Sequence, residues 1–326
     1  MNRGTANGSF TVAVTGATGF LGRHVVAALA AKGCKLRLLA RREPTDASWS
    51  EARPDVVPDV VLGALDDPAA LRRLVQGADA VLHMAGAIKA HGDEGYLKVN
   101  RDGSRALAEA VADVAPKAHF VHVSSLAARH PELSGYAASK RASEAAVLDV
   151  LGPSRLSIIR PPAIYGPGDR ETMVFFELAS KRLVPLPGKP TARISLIHVT
   201  DAAALLAERL AGAPTGKVQA IADACPEGYG WKQILDAAAA AVGNVSPRYF
   251  QLPSSLVRGV GGGVGAVAKL VGKSDMISAG KIRELLHEDW SVPASELLRE
   301  PAAPPSQALI AGFASTAVWY RQAGWL

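Results

Sequence analysis

Short apolar runs alternate with stretches of helical periodicity along most of the chain. Val12 and Val14 lie in the first such run, and a helical pattern starts at Leu21 and continues through Val25 and Leu29. Further apolar runs predict strands at residues 36–40, 60–62, 79–86 with its exit turn, 120–123, 157–164, 193–199 and 217–221. This alternation predicts a doubly wound, Rossmann-type α/β fold with a mainly parallel sheet of about seven strands.

Three glycines at spacings of three separate the first predicted strand from the first helix. Glycines at such a turn let the backbone approach a ligand, and the free N–H groups of the helix N-terminus attract a phosphate. The turn therefore predicts the pyrophosphate site of a dinucleotide, although a tight strand-to-helix turn without a ligand has the same pattern. The residues predicted to bind there are Gly16, Thr18, Gly19, Phe20, Leu21 and Gly22.

The second predicted strand ends in Ala40 and is followed by two arginines. In dinucleotide folds an acidic residue near this point binds the ribose hydroxyls, whereas arginine accommodates a 2′-phosphate. Arg41 and Arg42 therefore favour NADP as cofactor, with NAD still allowed. The alternative is that both side chains are only solvated surface charges.

A serine pair and a tyrosine–lysine pair follow the fifth predicted strand. Ser125 comes at the carboxyl end of that strand, where open parallel sheets bind ligands. Tyr136 and Lys140 are four residues apart and so share one helix face. An ammonium beside a tyrosine favours its ionised form, which suits proton transfer, and a serine hydroxyl can hold a substrate carbonyl. His83 is a second candidate base, but a histidine on a buried strand is more often packed and hydrogen-bonded.

The order of the motifs resembles that of extended and atypical short-chain dehydrogenases/reductases over nearly the whole chain. The motifs are Gly16-x-x-Gly19-x-x-Gly22, Asp66, His83-Met-Ala-Gly86, Asn100, Ser124-Ser125, Tyr136-x-x-x-Lys140, Arg160-Pro-Pro-Ala-Ile-Tyr-Gly-Pro-Gly-Asp169 and His198-Val-Thr-Asp201. The resemblance implies that Tyr136 is the catalytic acid/base, Lys140 its partner and Ser125 the hydroxyl that orients the substrate.

It also implies cofactor contacts beyond the glycine turn. Asp66 would contact the adenine, and Ala85, Gly86, Tyr136, Lys140 and Pro162 would line the rest of the cofactor. Asn100 would be a structural or relay residue.

One departure from the family pattern lies between Ser125 and Tyr136, which are only 11 residues apart. Sugar-nucleotide epimerases of this family usually have a longer insertion there, which helps to shape the sugar site. Its absence argues against an epimerase. Together with the catalytic set and the two arginines, the chain is predicted to be an NADP-preferring oxidoreductase that interconverts a ketone and a secondary alcohol. Two alternatives stay open: a nucleotide-sugar epimerase or dehydratase, and a nucleotide-binding subunit or sensor without turnover.

Composition limits the partners. The chain has 326 residues, of which 48% are hydrophobic and 20% charged, so a globular protein with a large core is expected. A net charge of +6 suits anionic ligands. The sequence has no arginine-rich arm, so nucleic-acid binding is not expected. Cys34 and Cys225 fit no metal-binding pattern. Without a recognisable signal peptide or membrane span, we expect a cytoplasmic protein.

Residues 252–273 have an apolar stripe at helical spacing, interrupted by glycines. The stripe predicts either a loosened core helix or a basic amphipathic cover that contacts an acyl substrate or the inner face of a membrane. With its flanks, it resembles the hydroxysteroid-dehydrogenase and respiratory-complex-accessory branches of the family. Together with the missing insertion, it favours a hydrophobic keto substrate such as a lipid, sphingoid or steroid-like ketone. The stripe consists of Leu256, Val260, Val264, Val267 and Val271.

The predicted domain organisation is interleaved. Residues 1–165 form the nucleotide-binding domain, to which 193–222 return, while 166–192 and 223–326 form the substrate lobe. A homodimer is compatible with this organisation.

Overall fold

The computed structural model describes residues 10–44, 57–251, 279–300 and 306–326. These residues divide into two compact units. The first is built from described residues within Met1–Pro161, Ala202–Ala220 and Leu298–Ala303, and the second from those within Pro162–Asp201, Ile221–Leu297 and Pro304–Leu326.

The strands of the described chain are short. They are β1 (Thr11–Thr15), β2 (Lys35–Ala40), β3 (Asp59–Leu62), β4 (Ala80–His83), β5 (His119–Val123), β6 (Leu156–Arg160), β7 (Ala163–Tyr165), β8 (Leu183–Leu186), β9 (Arg193–Ile194), β10 (Leu196–His198), β11 (Val218–Ala220), β12 (Arg248–Gln251) and β13 (Asp289–Trp290).

The α-helices come between them. They are α1 (Phe20–Ala31), α2 (Pro68–Val75), α3 (Gly92–Leu97), α4 (Gly103–Val114), α5 (Gly135–Leu151), α6 (Met173–Ala179), α7 (Val199–Ala211), α8 (Trp231–Val242), α9 (Ala279–Leu286) and α10 (Leu309–Gln322). A π-helical turn (Lys98–Asp102) precedes α4, and a 3₁₀ turn (Leu126–Arg129) follows β5.

Seven strands form the parallel sheet of the first unit, in the order β11-β6-β5-β4-β1-β2-β3. All residues of β4 and β5 are buried, as expected for central strands of a sheet covered on both faces. The strand order reverses between β1 and β4, and doubly wound sheets bind their ligands at the carboxyl ends beside such a switch point. The predicted fold is therefore confirmed.

Local sequence signals start and stop the helices around the sheet. Asp67 caps α2 by accepting a hydrogen bond from the Ala70 amide, and a proline follows at the first helical position. Ser134 caps α5 in the same way. The residue after the last residue of α5 is Gly152, whose φ of 66° suits glycine. Large apolar side chains of α2 and α4, among them Leu74 and Leu107, pack with Phe120 of β5 in one core cluster.

The second unit has its own core of aromatic side chains. Phe313 of α10 lies between Tyr165 and Phe176, with ring centroids 4.7 and 5.1 Å apart. The Tyr320 hydroxyl donates a 2.5 Å hydrogen bond to the Asp169 carbonyl oxygen. Three two-stranded pairs, β7 with β10, β8 with β12 and β9 with β13, complete the unit.

Two predicted strands are wrong in their bounds. The run at 157–164 is divided, because Pro161 and Pro162 lack the N–H groups that a continuous ladder needs, and β7 pairs with β10 instead. The run at 193–199 is also divided, and α7 already starts at its last residue, Val199. Asp201 therefore lies in the first turn of α7, where it accepts a bond from the Gln307 amide, and does not cap it.

Candidate active site

The glycine turn after β1 is held by backbone packing at two of its three glycines. Gly16 has a φ of 76°, and a Cβ atom there would lie 2.7 Å from the amide nitrogen of Ala85. A Cβ atom on Gly22 would overlap the carbonyl oxygen of Gly16. Both positions therefore require glycine for the packing of β1, α1 and the loop after β4, whatever the turn binds.

Gly19 differs from its two neighbours because packing does not explain it. It is exposed, has a φ of −77°, and a Cβ atom there would approach only the Gly16 carbonyl oxygen, at 3.3 Å. Gly19 also occupies the N-cap of α1, which is described throughout and has neither a side-chain cap nor an acidic residue in its first turn. The amides at this end of α1 thus suit a phosphate. Thr18 is exposed beside them, and Phe20 and Leu21 are half-buried.

Most other predicted cofactor residues follow the carboxyl ends of neighbouring parallel strands. Arg41 and Arg42 follow β2 and are exposed. Asp66, also exposed, lies between β3 and the cap of α2, and Gly86 is exposed after β4. The sheet therefore brings these residues to the edge that holds the glycine turn. Pro162 belongs to the second unit, where it is half-buried.

Lys140 is buried in α5, and its ammonium group donates a 2.8 Å hydrogen bond to the carbonyl oxygen of Val123, the last residue of β5. Burial lowers the pKa of Lys140 to about 8, an effect that the carboxylate of Glu144 opposes. Gly86 lies near this group, and a Cβ atom there would lie 3.0 Å from the Asn100 Oδ1 atom and 3.9 Å from the Lys140 Nζ atom. The ammonium is thus fixed at the carboxyl end of the central strands.

Asn100 connects the loop after β4 to α5 from within the π-helical turn. Its Oδ1 atom accepts a 2.7 Å hydrogen bond from the Ala87 amide, and its Nδ2 atom donates at 2.8 Å to the Ser139 hydroxyl. Ser139 in turn donates at 2.7 Å to the carbonyl oxygen of Tyr136. This chain of bonds positions the first turn of α5, where Tyr136 lies.

The two remaining predicted catalytic side chains are half-buried. The Tyr136 ring packs edge-on against Tyr96 of α3, with centroids 6.2 Å apart. The Ser125 hydroxyl accepts a 3.2 Å bond from the Ala127 amide, which leaves its proton for donation. A hydroxyl donor, a phenol and an ammonium group can together polarise a carbonyl and supply a proton.

His83 is packed and hydrogen-bonded, as the alternative to a catalytic base predicts. Its Nδ1 atom lies 2.7 Å from the Thr15 hydroxyl, and its Nε2 atom lies 2.8 Å from the Ser104 hydroxyl. The ring is fully buried, and burial, followed by the charge of Lys140, lowers its pKa to about 3. His83 is therefore a neutral side chain that links β4 to β1 and α4.

Sequence reasoning missed a buried ion pair beside the site. Glu144 accepts two bonds from the Arg160 guanidinium, both 2.7 Å long, and a third from the Ser124 hydroxyl. The sequence did indicate that Glu144 lies near Lys140, because residues four apart share one face of a helix. It did not indicate that Arg160 of β6 is the partner of Glu144.

The predicted stripe at residues 252–273 lies outside the described residues. Among the helices that the structure describes, none has the length and hydropathy to span a membrane.

The chain is similar in sequence to a family of nucleotide-dependent enzymes and to two reductases. The sequence model of the NAD dependent epimerase/dehydratase family matches residues 12–219. A ceramide reductase from Caulobacter vibrioides is 47% identical over 315 residues, which cover 97% of this chain and 96% of the relative. A 4-hydroxy-2-methyl-3-oxo-4-farnesyl-3,4-dihydroquinoline-1-oxide ketoreductase from Stigmatella aurantiaca is 28% identical, covering 65% of this chain and 68% of its own.

A solved structure has the same fold at lower identity. DesIV, a dTDP-glucose 4,6-dehydratase from Streptomyces venezuelae, superposes with a TM-score of 0.70 at 21% identity, covering 97% of this chain and 98% of its own.

The glycine turn yields a test that separates packing from ligand binding. Gly22→Ala should lower the free energy of unfolding by about 1–3 kcal/mol, because the methyl group meets backbone. Gly19→Ala, whose Cβ atom would lie 3.3 Å from one backbone oxygen, should lose less stability than Gly22→Ala but bind the dinucleotide at least roughly tenfold more weakly. Urea unfolding and cofactor fluorescence titration measure the two effects. Unchanged cofactor affinity in Gly19→Ala would show that the turn holds no pyrophosphate.

Proposed function

The chain belongs to the NAD-dependent epimerase/dehydratase family, and we propose that it reduces a ketone on a ceramide-type lipid, preferring NADPH. It is an NAD(P)-dependent oxidoreductase that acts on a small-molecule substrate. The observation that carries the lipid substrate is the 47% identity to a ceramide reductase over 97% of the chain. A ceramide is an N-acylated long-chain amino alcohol, and the predicted hydrophobic keto substrate agrees with that chemistry.

The residues at the carboxyl edge of the sheet fit a dinucleotide. The exposed Gly19 and the uncapped N-terminus of α1 would bind the pyrophosphate. Asp66 would contact the adenine, and the Lys140 ammonium would bind the nicotinamide ribose. When bound, the cofactor supplies a hydride for the carbonyl carbon of the substrate.

Side chains of the protein would then orient and protonate the carbonyl oxygen of the substrate. The Ser125 hydroxyl donates a hydrogen bond to that oxygen and so orients the ketone. As negative charge develops there, the Tyr136 phenol gives up its proton, which completes the secondary alcohol. The phenolate left behind is stabilised by the Lys140 ammonium, which is protonated below a pH of about 8.

The preference for NADPH rests on charge at the end of β2. Arg41 and Arg42 are exposed there, at the point where dinucleotide folds bind the adenosine ribose. Because both guanidinium groups are exposed, both can turn toward a 2′-phosphate. A guanidinium group can bind a phosphate through two parallel hydrogen bonds, which makes arginine well suited to a 2′-phosphate.

The proposed reaction is tested by supplying a keto-ceramide in detergent micelles together with NADPH. The wild type should oxidise NADPH and form the secondary alcohol, identified by mass spectrometry. Tyr136→Phe should lose at least roughly a hundredfold in kcat, because it lacks the proton that is transferred. Its cofactor affinity should be unchanged, since the ring still packs against Tyr96. No NADPH oxidation by folded wild type, or conversion of a nucleotide sugar instead, would overturn the proposal.

Cofactor choice is tested separately with the double variant Arg41→Ala/Arg42→Ala. Hydrogen bonds to a charged phosphate contribute about 1.5–3 kcal/mol each, so NADPH affinity should fall at least roughly tenfold. NADH affinity should hardly change, because NADH lacks the 2′-phosphate. Arg105→Ala, which removes an exposed arginine of α4, is the matched control. Equal losses for the two cofactors, or a wild type that prefers NADH, would contradict this assignment.

A further inference from the structure

A buried carboxylate lies one helical turn beyond Lys140 on α5. Glu144 is 5% exposed, and its Oε1 atom accepts a 2.5 Å hydrogen bond from the Ser124 hydroxyl. The Arg160 guanidinium donates to both carboxylate oxygens, Nε to Oε1 and Nη2 to Oε2, each at 2.7 Å. Arg160 is itself 6% exposed, so the whole arrangement is shielded from water.

These bonds connect α5 to the ends of two strands. Arg160 is the last residue of β6. Ser124 follows β5 directly and donates its amide to the Ile159 carbonyl oxygen at 2.7 Å. The residue before Ser124 accepts the hydrogen bond of Lys140, and the residue after it is Ser125. One carboxylate thus joins the helix of Tyr136 and Lys140 to the strand end that bears Ser125.

Glu144 also places a negative charge one helical turn from Lys140. His83 on β4 and His122 on β5 are buried neighbours whose pKa values are lowered, so both are neutral near pH 7. On α5 itself, the mostly exposed Arg141 lies 3.8 Å from a Glu144 oxygen. Arg160 on β6 is bound to the Glu144 carboxylate. Burial lowers the pKa of Lys140, and Glu144 is the group that raises it.

We propose that Glu144 is a positioning residue whose buried carboxylate, one helical turn from Lys140, compensates the charge of the buried ammonium and holds α5 in register with the strand end that bears Ser125. The consequence for catalysis rests on the proposed function, whereas the charge of Lys140 is a property of the protein alone. A carboxylate that acted only by neutralising Arg160 would leave the titration of Lys140 unchanged when both buried charges are removed together. The titration of Lys140 therefore separates the two roles.

The experiment follows Lys140 by NMR in protein labelled with ¹³C at the lysine ε-carbons. The resonance is assigned by its loss in Lys140→Arg. Glu144→Gln keeps the shape and an acceptor for Ser124 but removes the charge. The titration midpoint of Lys140 should then fall by about one pH unit or more, the usual effect of losing a nearby opposite charge.

The matched control is Asp149→Asn, which removes a carboxylate from an exposed ion pair on the same helix. Its Lys140 midpoint should stay at the wild-type value. In Glu144→Gln, the alkaline limb of kcat/KM should move to lower pH together with the lysine midpoint. The double variant Glu144→Gln/Arg160→Gln removes both buried charges, so the lysine midpoint should still lie below the wild-type value if the carboxylate acts on Lys140 itself and not through Arg160.

An unchanged Lys140 midpoint in either folded variant would overturn the inference. A lowered midpoint in a protein that reduces no ketone would contradict the proposed function and leave the inference standing. The two ideas therefore fail independently.

Discussion

The burial of a charged ammonium group at the end of β5 is the constraint on which the site depends. An isolated ammonium is costly to bury, so the surrounding groups must compensate it. Here the Val123 carbonyl oxygen accepts a hydrogen bond from the ammonium, the Glu144 carboxylate opposes the effect of burial, and the neighbouring histidines are neutral. The same compensation fixes α5 against β5 and β6, which positions the phenol and the serine hydroxyl.

The parallel sheet supplies the other half of the arrangement. Because every strand of the first unit runs in one direction, the loops after β1 to β5 meet at one edge. The glycine turn, the two arginines, Asp66 and the Ser125 hydroxyl come to this edge from four different strands. In the proposed function, this edge binds the nicotinamide cofactor.

The sequence was sufficient for the fold and for the placement of most candidate residues, because alternating strands and helices with short loops leave few other topologies. The spacing of four residues placed Tyr136 and Lys140 on one helix face without a structure. The partners of Glu144 could not be predicted, since its bond with Arg160 depends on β6 lying beside β5 in the sheet. Pro161 and Pro162 interrupt the predicted strand after β6, but the strand with which β7 pairs depends on tertiary packing.

In the proposed reaction, hydride passes from the nicotinamide to a carbonyl carbon of the lipid while the protein supplies the proton. Its most direct test uses stereospecifically deuterated NADPH with a keto-ceramide, in ordinary water, and mass spectrometry of the product. We expect one deuterium on the carbon that bears the new hydroxyl group, from one of the two C4-deuterated forms and not from the other. A reduced lipid without deuterium from either form, or deuterated NADPH that is not consumed, would contradict the account.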